Sequence, residues 1–171
     1  MQDKGDHWEY IFVYINDLGI ASKTPQSIVN ELINKYDVKL KGTGPIKYHL
    51  GCDYFWDKNG ALCFAPKKYI KKILDSYQRM FGTKLKQYKT PLEKRNHPEL
   101  DTSKELDLEG IKQYQSLIGA MQWAIQIRKM DITTAVITMS GFRAAPKKGH
   151  LEHVKQIYRY LLKMQHAIIQ I

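Results

Sequence analysis

An apolar run over residues 8–15 is followed almost at once by a second short run, Leu18-Gly19-Ile20-Ala21, with Asn16-Asp17 between them. That arrangement constrains the backbone more than any other stretch. Aromatic and β-branched residues favour extended strands, and Asn and Asp favour the tight turn that joins two of them. Residues 8–21 are therefore expected to form a hairpin. A hairpin this apolar has an open edge and an uncovered face unless further strands or helices meet it.

The rest of the chain alternates turn signals with periodic segments. Ser22-Lys23-Thr24-Pro25 starts a helix, with Thr24 as N-cap and Pro25 in the first helical position. Ile28, Leu32, Ile33 and Tyr36 recur along it at helical spacing. Val38-Lys39-Leu40-Lys41 alternates as a strand does, until Gly42-Thr43-Gly44-Pro45 breaks it. Residues 48–56 and 61–65 flank Lys58-Asn59-Gly60, a second hairpin signal because Asn-Gly accepts positive φ angles. Pro66 then opens a basic helix with Ile70, Ile73, Leu74, Tyr77 and Phe81 as its apolar stripe and Gly82 as its cap. Residues 87–108 show no sustained period, and Pro91, Pro98 and a reversal of charge mark a linker. Three helices follow. Their stripes are Ile111, Tyr114, Ile118, Met121 and Ile125; Ile132, Ala135, Val136 and Met139; and Leu151, Val154, Ile157, Tyr158 and Leu161. Gly119 and Ala120 would allow close helix contact. The expected class is α+β, with stripes that are core rather than cofactor contacts.

Composition excludes several classes. At 171 residues and 43% hydrophobic content the chain can bury a core and is not a disordered segment. Its longest clear apolar run, residues 11–15, is far too short for a membrane span, and residues 1–7 are no secretory signal. Cys52 and Cys63 match neither a disulfide framework nor a zinc signature, which points to free thiols in an intracellular setting, cytoplasm or nucleus.

The net charge of +10 is unevenly placed. Between Lys58 and Arg95 stand eleven basic residues against Asp75 and Glu93 only, a local charge of +9. Glu99, Asp101, Glu105, Asp107 and Glu109 follow, relieved by Lys104 alone. A basic stretch interleaved with Tyr69, Tyr77 and Tyr88 reads either as a phosphate-contacting surface or as a solvated helix face. His150 and His153 lie one helical turn apart, and without a third ligand nearby they read as surface or capping residues rather than a metal site.

Tyr14-Ile15-Asn16-Asp17 is similar to the Tyr-x-Asp-Asp turn of nucleic-acid polymerases, with Asn16 in the place of the first Asp. Tyr48-His49-Leu50-Gly51, Lys68-Tyr69-Ile70 with Ile73-Leu74, and Thr90-Pro91-Leu92 continue in the order of a known family. So do the segment from Tyr114 to Met121, Asp131-Ile132, Ala135-Val136, Phe142, Pro146, His150 and Tyr158-Arg159-Tyr160-Leu161. Taken together, these blocks resemble the C-terminal half of a copia-type retrotransposon reverse transcriptase, part of the Pol polyprotein. The resemblance covers almost the whole chain. It implies a partial palm with the degraded turn and a primer-contact hairpin over residues 1–66. A basic thumb-like helix over 67–90, a linker over 91–110 and a helical connection region over 111–171 would follow.

The resemblance also implies a function and its partners. The family activity is RNA-directed DNA polymerisation with Mg2+, on an RNA or DNA primer-template. Tyr14, Asn16 and Asp17 would be the catalytic turn, with Asp17 the remaining metal ligand. Lys67, Lys68, Lys71, Lys72, Arg79, Lys84 and Lys86 would contact nucleic acid. Phe55 and Trp56 read as primer contacts or as packing. In the family an upstream segment supplies the fingers and another metal-binding Asp, and a ribonuclease H domain follows. This chain is accordingly expected to be a truncated piece that associates with that upstream half. An Asn amide is a weaker magnesium ligand than a carboxylate, so the expected state is a catalytically inactive relative. The alternative is a non-enzymatic nucleic-acid-binding or interaction module. Without the downstream blocks, Asn16-Asp17 reads as an ordinary hairpin turn.

Overall fold

The computed structural model describes residues 2–3, 5–15, 17–93 and 97–170 and divides into two compact units, Met1–Ile46 and Lys47–Ile171. It is a mixed helix-and-strand chain. In the first unit β1 (Gln2–Asp3), β2 (Trp8–Tyr14) and β3 (Asp17–Ala21) form an antiparallel sheet in that order. The pairs Tyr10–Ala21, Phe12–Gly19 and Tyr14–Asp17 alternate with Ile11–Ile20 and Val13–Leu18. Strand side chains alternate between faces. One face of β2 therefore carries Trp8, Tyr10, Phe12 and Tyr14, and the other Glu9, Ile11 and Val13. Glu9 is buried and accepts the Ser22 hydroxyl at 2.5 Å, whereas the apolar side chains of β2 remain substantially exposed on both faces.

Helix α1 (Pro25–Tyr36) begins where the Thr24-Pro25 signal places it. Thr24 holds the N-cap position but makes no side-chain capping bond; the Ser27 hydroxyl donates to its carbonyl instead. The alternation over residues 38–41 does not become a strand. Those residues form no ladder, and the chain turns away through Gly42 and Gly44, both at positive φ.

The second unit opens with β4 (Tyr48–His49), β5 (Cys52–Trp56) and β6 (Leu62–Ala65). With β7 (Ile169–Gln170) they form an antiparallel sheet in the order β4-β5-β6-β7. Residues 48–56 are thus two strands rather than one, folded back on each other at Leu50 (φ 48) and Gly51 (φ 86). The Lys58-Asn59-Gly60 hairpin forms, although by another route than the one expected. Only Gly60 takes a positive φ, and Asp57 organises the loop by accepting the N–H groups of Asn59 and Ala61 on Oδ1. A three-residue loop closed by a left-handed glycine needs no left-handed Asn.

Four helices build the main core: α2 (Lys67–Phe81), α3 (Leu108–Gln126), α4 (Thr133–Ser140) and α5 (Lys148–Lys163). α2 and α4 each pack against both α3 and α5. Ile70, Leu74 and Tyr77 meet Tyr114, Ile118, Met121, Val136, Val154, Ile157 and Leu161, each nearly or wholly buried. Side chains of that size contribute roughly 1.5–3 kcal/mol each on burial. The stripes expected for α2, α4 and α5 are buried apart from Phe81, which is half-buried. In α3 the stripe shifts, because Leu117 and Ala124 are buried while Ile111 and Ile125 are half-buried. Gly119 is exposed and faces open space, so it mediates no close helix contact.

Buried phenols tie these helices together. Tyr114 donates to the Met139 carbonyl at 2.6 Å, Tyr158 to that of Leu117 at 3.2 Å, and Tyr69 to that of Ala120 at 2.9 Å. α3 starts three residues before the expected Ile111, since the Asp107 carboxylate caps it by accepting the Gly110 N–H at 2.8 Å. The segment before it is pinned to the start of α5. His150 Nδ1 accepts the Lys147 N–H, its Nε2 bonds the Pro98 carbonyl at 2.9 Å, and Ser103 Oγ accepts the Gly149 N–H. His150 is therefore a buried capping residue stacked on Phe142.

Candidate nucleic-acid interface and acidic turn

The acidic turn belongs to the first unit. Tyr14 ends β2 and Asp17 begins β3, and the two are cross-strand partners. Ile15, which opens the connection between them, has φ 53 and is 80% exposed. A β-branched residue pays a steric penalty in the left-handed region, of about 1–2 kcal/mol. Here no burial offsets it. Asn16, the position that departs from the polymerase pattern, lies outside the described residues.

Magnesium prefers several hard, charged oxygen ligands, and two-ion chemistry needs carboxylates contributed by several segments. Among the described residues no three His, Cys, Asp or Glu side chains gather where they could hold a metal ion. Asp17 is a single carboxylate. The residues present do not fit the two-ion centre implied by the resemblance, and no catalytic step is built on one.

The basic residues lie on and after α2 in the second unit. The α2 stripe is anchored in the core by Ile70, Ile73, Leu74 and Tyr77, so the opposite face of the helix is held outward. Lys68, Lys71, Lys72 and Arg79 are exposed on it, joined by one acidic residue, Asp75. Lys84 and Lys86 are exposed beyond Gly82, which closes α2 in a left-handed conformation.

The structure separates these cations into two groups. Lys67 and Lys68 are engaged by the sheet: Lys67 Nζ sits 4.6 Å from the Phe55 ring centroid and Lys68 Nζ 4.8 Å from that of Tyr48. Lys68 also pairs with Asp53 at 3.1 Å. Lys71, Lys72, Arg79, Lys84 and Lys86 make no hydrogen bond or ion pair among the described residues. Phe55 serves as the platform under Lys67, while Trp56 is 64% exposed.

Two features were not read from the sequence. Asp53 caps α2 from a neighbouring strand, accepting the Lys68 N–H at 3.3 Å, and no local pattern signals a cap fifteen residues away. A cavity of about 230 Å³ also opens between α2 and α3, where Lys72, Ser76, Arg79 and Ser116 meet Tyr69 and Tyr77. The i, i+4, i+7 spacing of Lys72, Ser76 and Arg79 was the available signal, since it places all three on one side of the helix.

The thiols match the expectation of free cysteines: Cys52 and Cys63 are both buried and unbridged. Cys52 donates to the Ile127 carbonyl at 3.3 Å, and burial pushes its thiol up. Among the described residues no helix is long and apolar enough to cross a membrane.

Comparison with known proteins gives the chain a lineage. The chain is similar to segments of retrotransposon proteins over about nine-tenths of its length. It is 30% identical over 155 residues to the putative transposon Ty5-1 protein of Saccharomyces cerevisiae, matching 89% of this chain and 48% of that protein. It is 28% identical over 159 residues to the retrovirus-related Pol polyprotein from transposon RE1 of Arabidopsis thaliana, covering 92% of this chain and 10% of the polyprotein. The Pol polyprotein from transposon TNT 1-94 of Nicotiana tabacum is 28% identical over 163 residues, covering 88% and 12% respectively. The chain is a region related to copia-type retrotransposon Pol. It spans about half of the yeast relative and about a tenth of each plant polyprotein. No protein-family profile matches the chain, and no solved structure matches it.

Proposed function

We propose that this region derives from the reverse-transcriptase part of Pol, no longer polymerises by itself, and binds nucleic acid through the outer face of α2. The first hairpin would correspond to part of the palm, the β5–β6 hairpin to a primer contact, and α2 to the start of the thumb. The observation that carries the binding reading is the way α2 is mounted. Its apolar side is locked into the core, so Lys71, Lys72 and Arg79 are presented on one outward face, free of internal partners. Cations gathered on one helix face release counterions when they meet a phosphate backbone. The reading without catalysis rests on Asn16 in the sequence and on the single carboxylate of Asp17.

Primer extension with magnesium or manganese tests the catalytic half of the proposal. The intact chain gives no incorporation, and Asn16→Asp alone does not create it. Template-dependent extension by the unmodified chain would overturn the reading.

A second reading is favoured by one observation, the exposure of β2 on both faces. Val13 is 71% exposed, and Tyr10, Ile11 and Phe12 are each close to half exposed. Such a strand belongs against other structure, and an upstream Pol segment is the partner that the lineage suggests. Sedimentation of the chain alone and with that segment distinguishes the two readings. A complex lost on Val13→Lys supports an interaction module, and a monodisperse mixture argues against it.

A further inference from the structure

The basic residues of α2 differ in what they border, and that difference identifies one specific seat. Lys72, Ser76 and Arg79 line the cavity of about 230 Å³ from the α2 side, and Ser116 lines it from α3. Lys72 and Arg79 are two turns apart, about 10 Å along the helix, with the Ser76 hydroxyl between them. None of these four side chains makes a hydrogen bond or ion pair among the described residues. Of the three phenols at this boundary, Tyr77 makes no hydrogen bond among the described residues and the other two are engaged. Tyr69 donates its hydroxyl to the Ala120 carbonyl, and Tyr158 donates its own to that of Leu117. The cavity thus offers two cations, two hydroxyls and phenol rings, with no carboxylate among the residues lining it.

We propose that this cleft seats one backbone phosphate of a nucleic-acid strand. The Lys72 ammonium and the Arg79 guanidinium neutralise the phosphate, and the Ser76 and Ser116 hydroxyls donate to its free oxygens. Charge complementarity selects the anion. The proposal rests on the nucleic-acid reading given above and makes it specific. It assigns Lys72 and Arg79 to a built cleft, whereas Lys67 and Lys68 serve the sheet.

The test uses the full chain and a fluorescently labelled single-stranded oligonucleotide, with anisotropy followed across a salt series. Lys72→Gln with Arg79→Gln is expected to weaken binding about tenfold at low salt and to flatten the salt slope by about one. Lys112→Gln with Lys163→Gln removes the same charge from outside the cleft and is expected to cost less than about twofold. Ser116→Trp fills the cleft with no change of charge and is expected to weaken binding about fivefold. Ser76→Trp, on the exposed side of α2, gives the same answer if the Ser116 variant does not fold. Equal losses for the two charge pairs, with Ser116→Trp or Ser76→Trp binding as the parent does, would overturn the cleft while leaving the broader reading intact. An unmodified chain with no salt-dependent binding would overturn both.

Discussion

The Asp53 carboxylate accepts the backbone N–H of Lys68 at 3.3 Å and pairs with the ammonium of the same residue at 3.1 Å. One side chain on β5 thereby fixes both the start of α2 and the first exposed cation of its outer face. Helix starts carry unpaired N–H groups, and Pro66 in the N-cap position has no side-chain acceptor to offer them. Asp53→Ala is expected to lower stability by about 1 kcal/mol in urea unfolding, as capping losses do. Asp53→Asn keeps an acceptor and loses less. The Lys68 end is largely exposed, so Lys68→Met costs little. A neutral Asp53→Ala would mean that Asp53 does not cap α2.

Gly149 in the first turn of α5 lies under the Asp101 carboxylate, and a Cβ there would overlap it. Asp101 is held in place by accepting the Ser103 N–H at 2.7 Å, and that bond lowers its carboxyl pKa. Gly149→Ala therefore destabilises the native chain, although Ala outranks Gly in a helix by about 1 kcal/mol. In an Asp101→Ala background the same substitution becomes stabilising. Thermal melts of the four-member cycle give the two signs, and equal signs would contradict the packing described.

Ile15 is left-handed, β-branched and exposed, a combination with nothing in the structure to favour it. Ile15→Gly removes the steric penalty and sacrifices no buried contact. Hydrogen exchange of the Phe12 and Gly19 amides, the next bonded pair of the ladder, is expected to slow by about three- to tenfold, equivalent to about 1 kcal/mol. Faster exchange would show that the turn is not strained at this position.

The sequence disclosed the elements governed by local periodicity. The stripes of α2, α4 and α5 fall where their 3.6-residue spacing puts them, because each helix buries one continuous side. The strand expected over residues 38–41 failed since a ladder needs a partner, and alternation alone does not supply one. The Lys58–Gly60 turn was located correctly, but its conformation depends on Asp57, whose carboxylate occupies the loop N–H groups. The candidate site was legible as a charge pattern only. Sequence spacing grouped Lys67 with Lys72, and tertiary contacts separate them, because Phe55, Tyr48 and Asp53 come from strands while Ser116 comes from α3.

Buried phenols make stability fall in alkali. Burial pushes the Tyr114 and Tyr158 hydroxyls well above their ordinary 10.0, and burial with the bond to Asp131 raises Tyr160 to about 12. A raised folded pKa means that the unfolded chain gives up its protons first. Stability is fully present below pH 10 and is lost progressively as pH climbs through the folded values. The melting temperature is expected to fall from about pH 10 upward. Tyr158→Phe starts lower, having lost the bond to Leu117, and declines less steeply. Parallel profiles for the two proteins would contradict this account.

The most direct test of the central claim is the salt dependence of nucleic-acid binding by the intact chain. Five cations on and after α2 (Lys71, Lys72, Arg79, Lys84 and Lys86) have no partner among the described residues. Their engagement with a single strand predicts a slope of about −3 in log affinity against log salt. A slope of that size, lost when these residues are neutralised together, is the expected result. Binding that ignores salt, or none at low ionic strength, would contradict the claim that this Pol-related region retains a nucleic-acid surface.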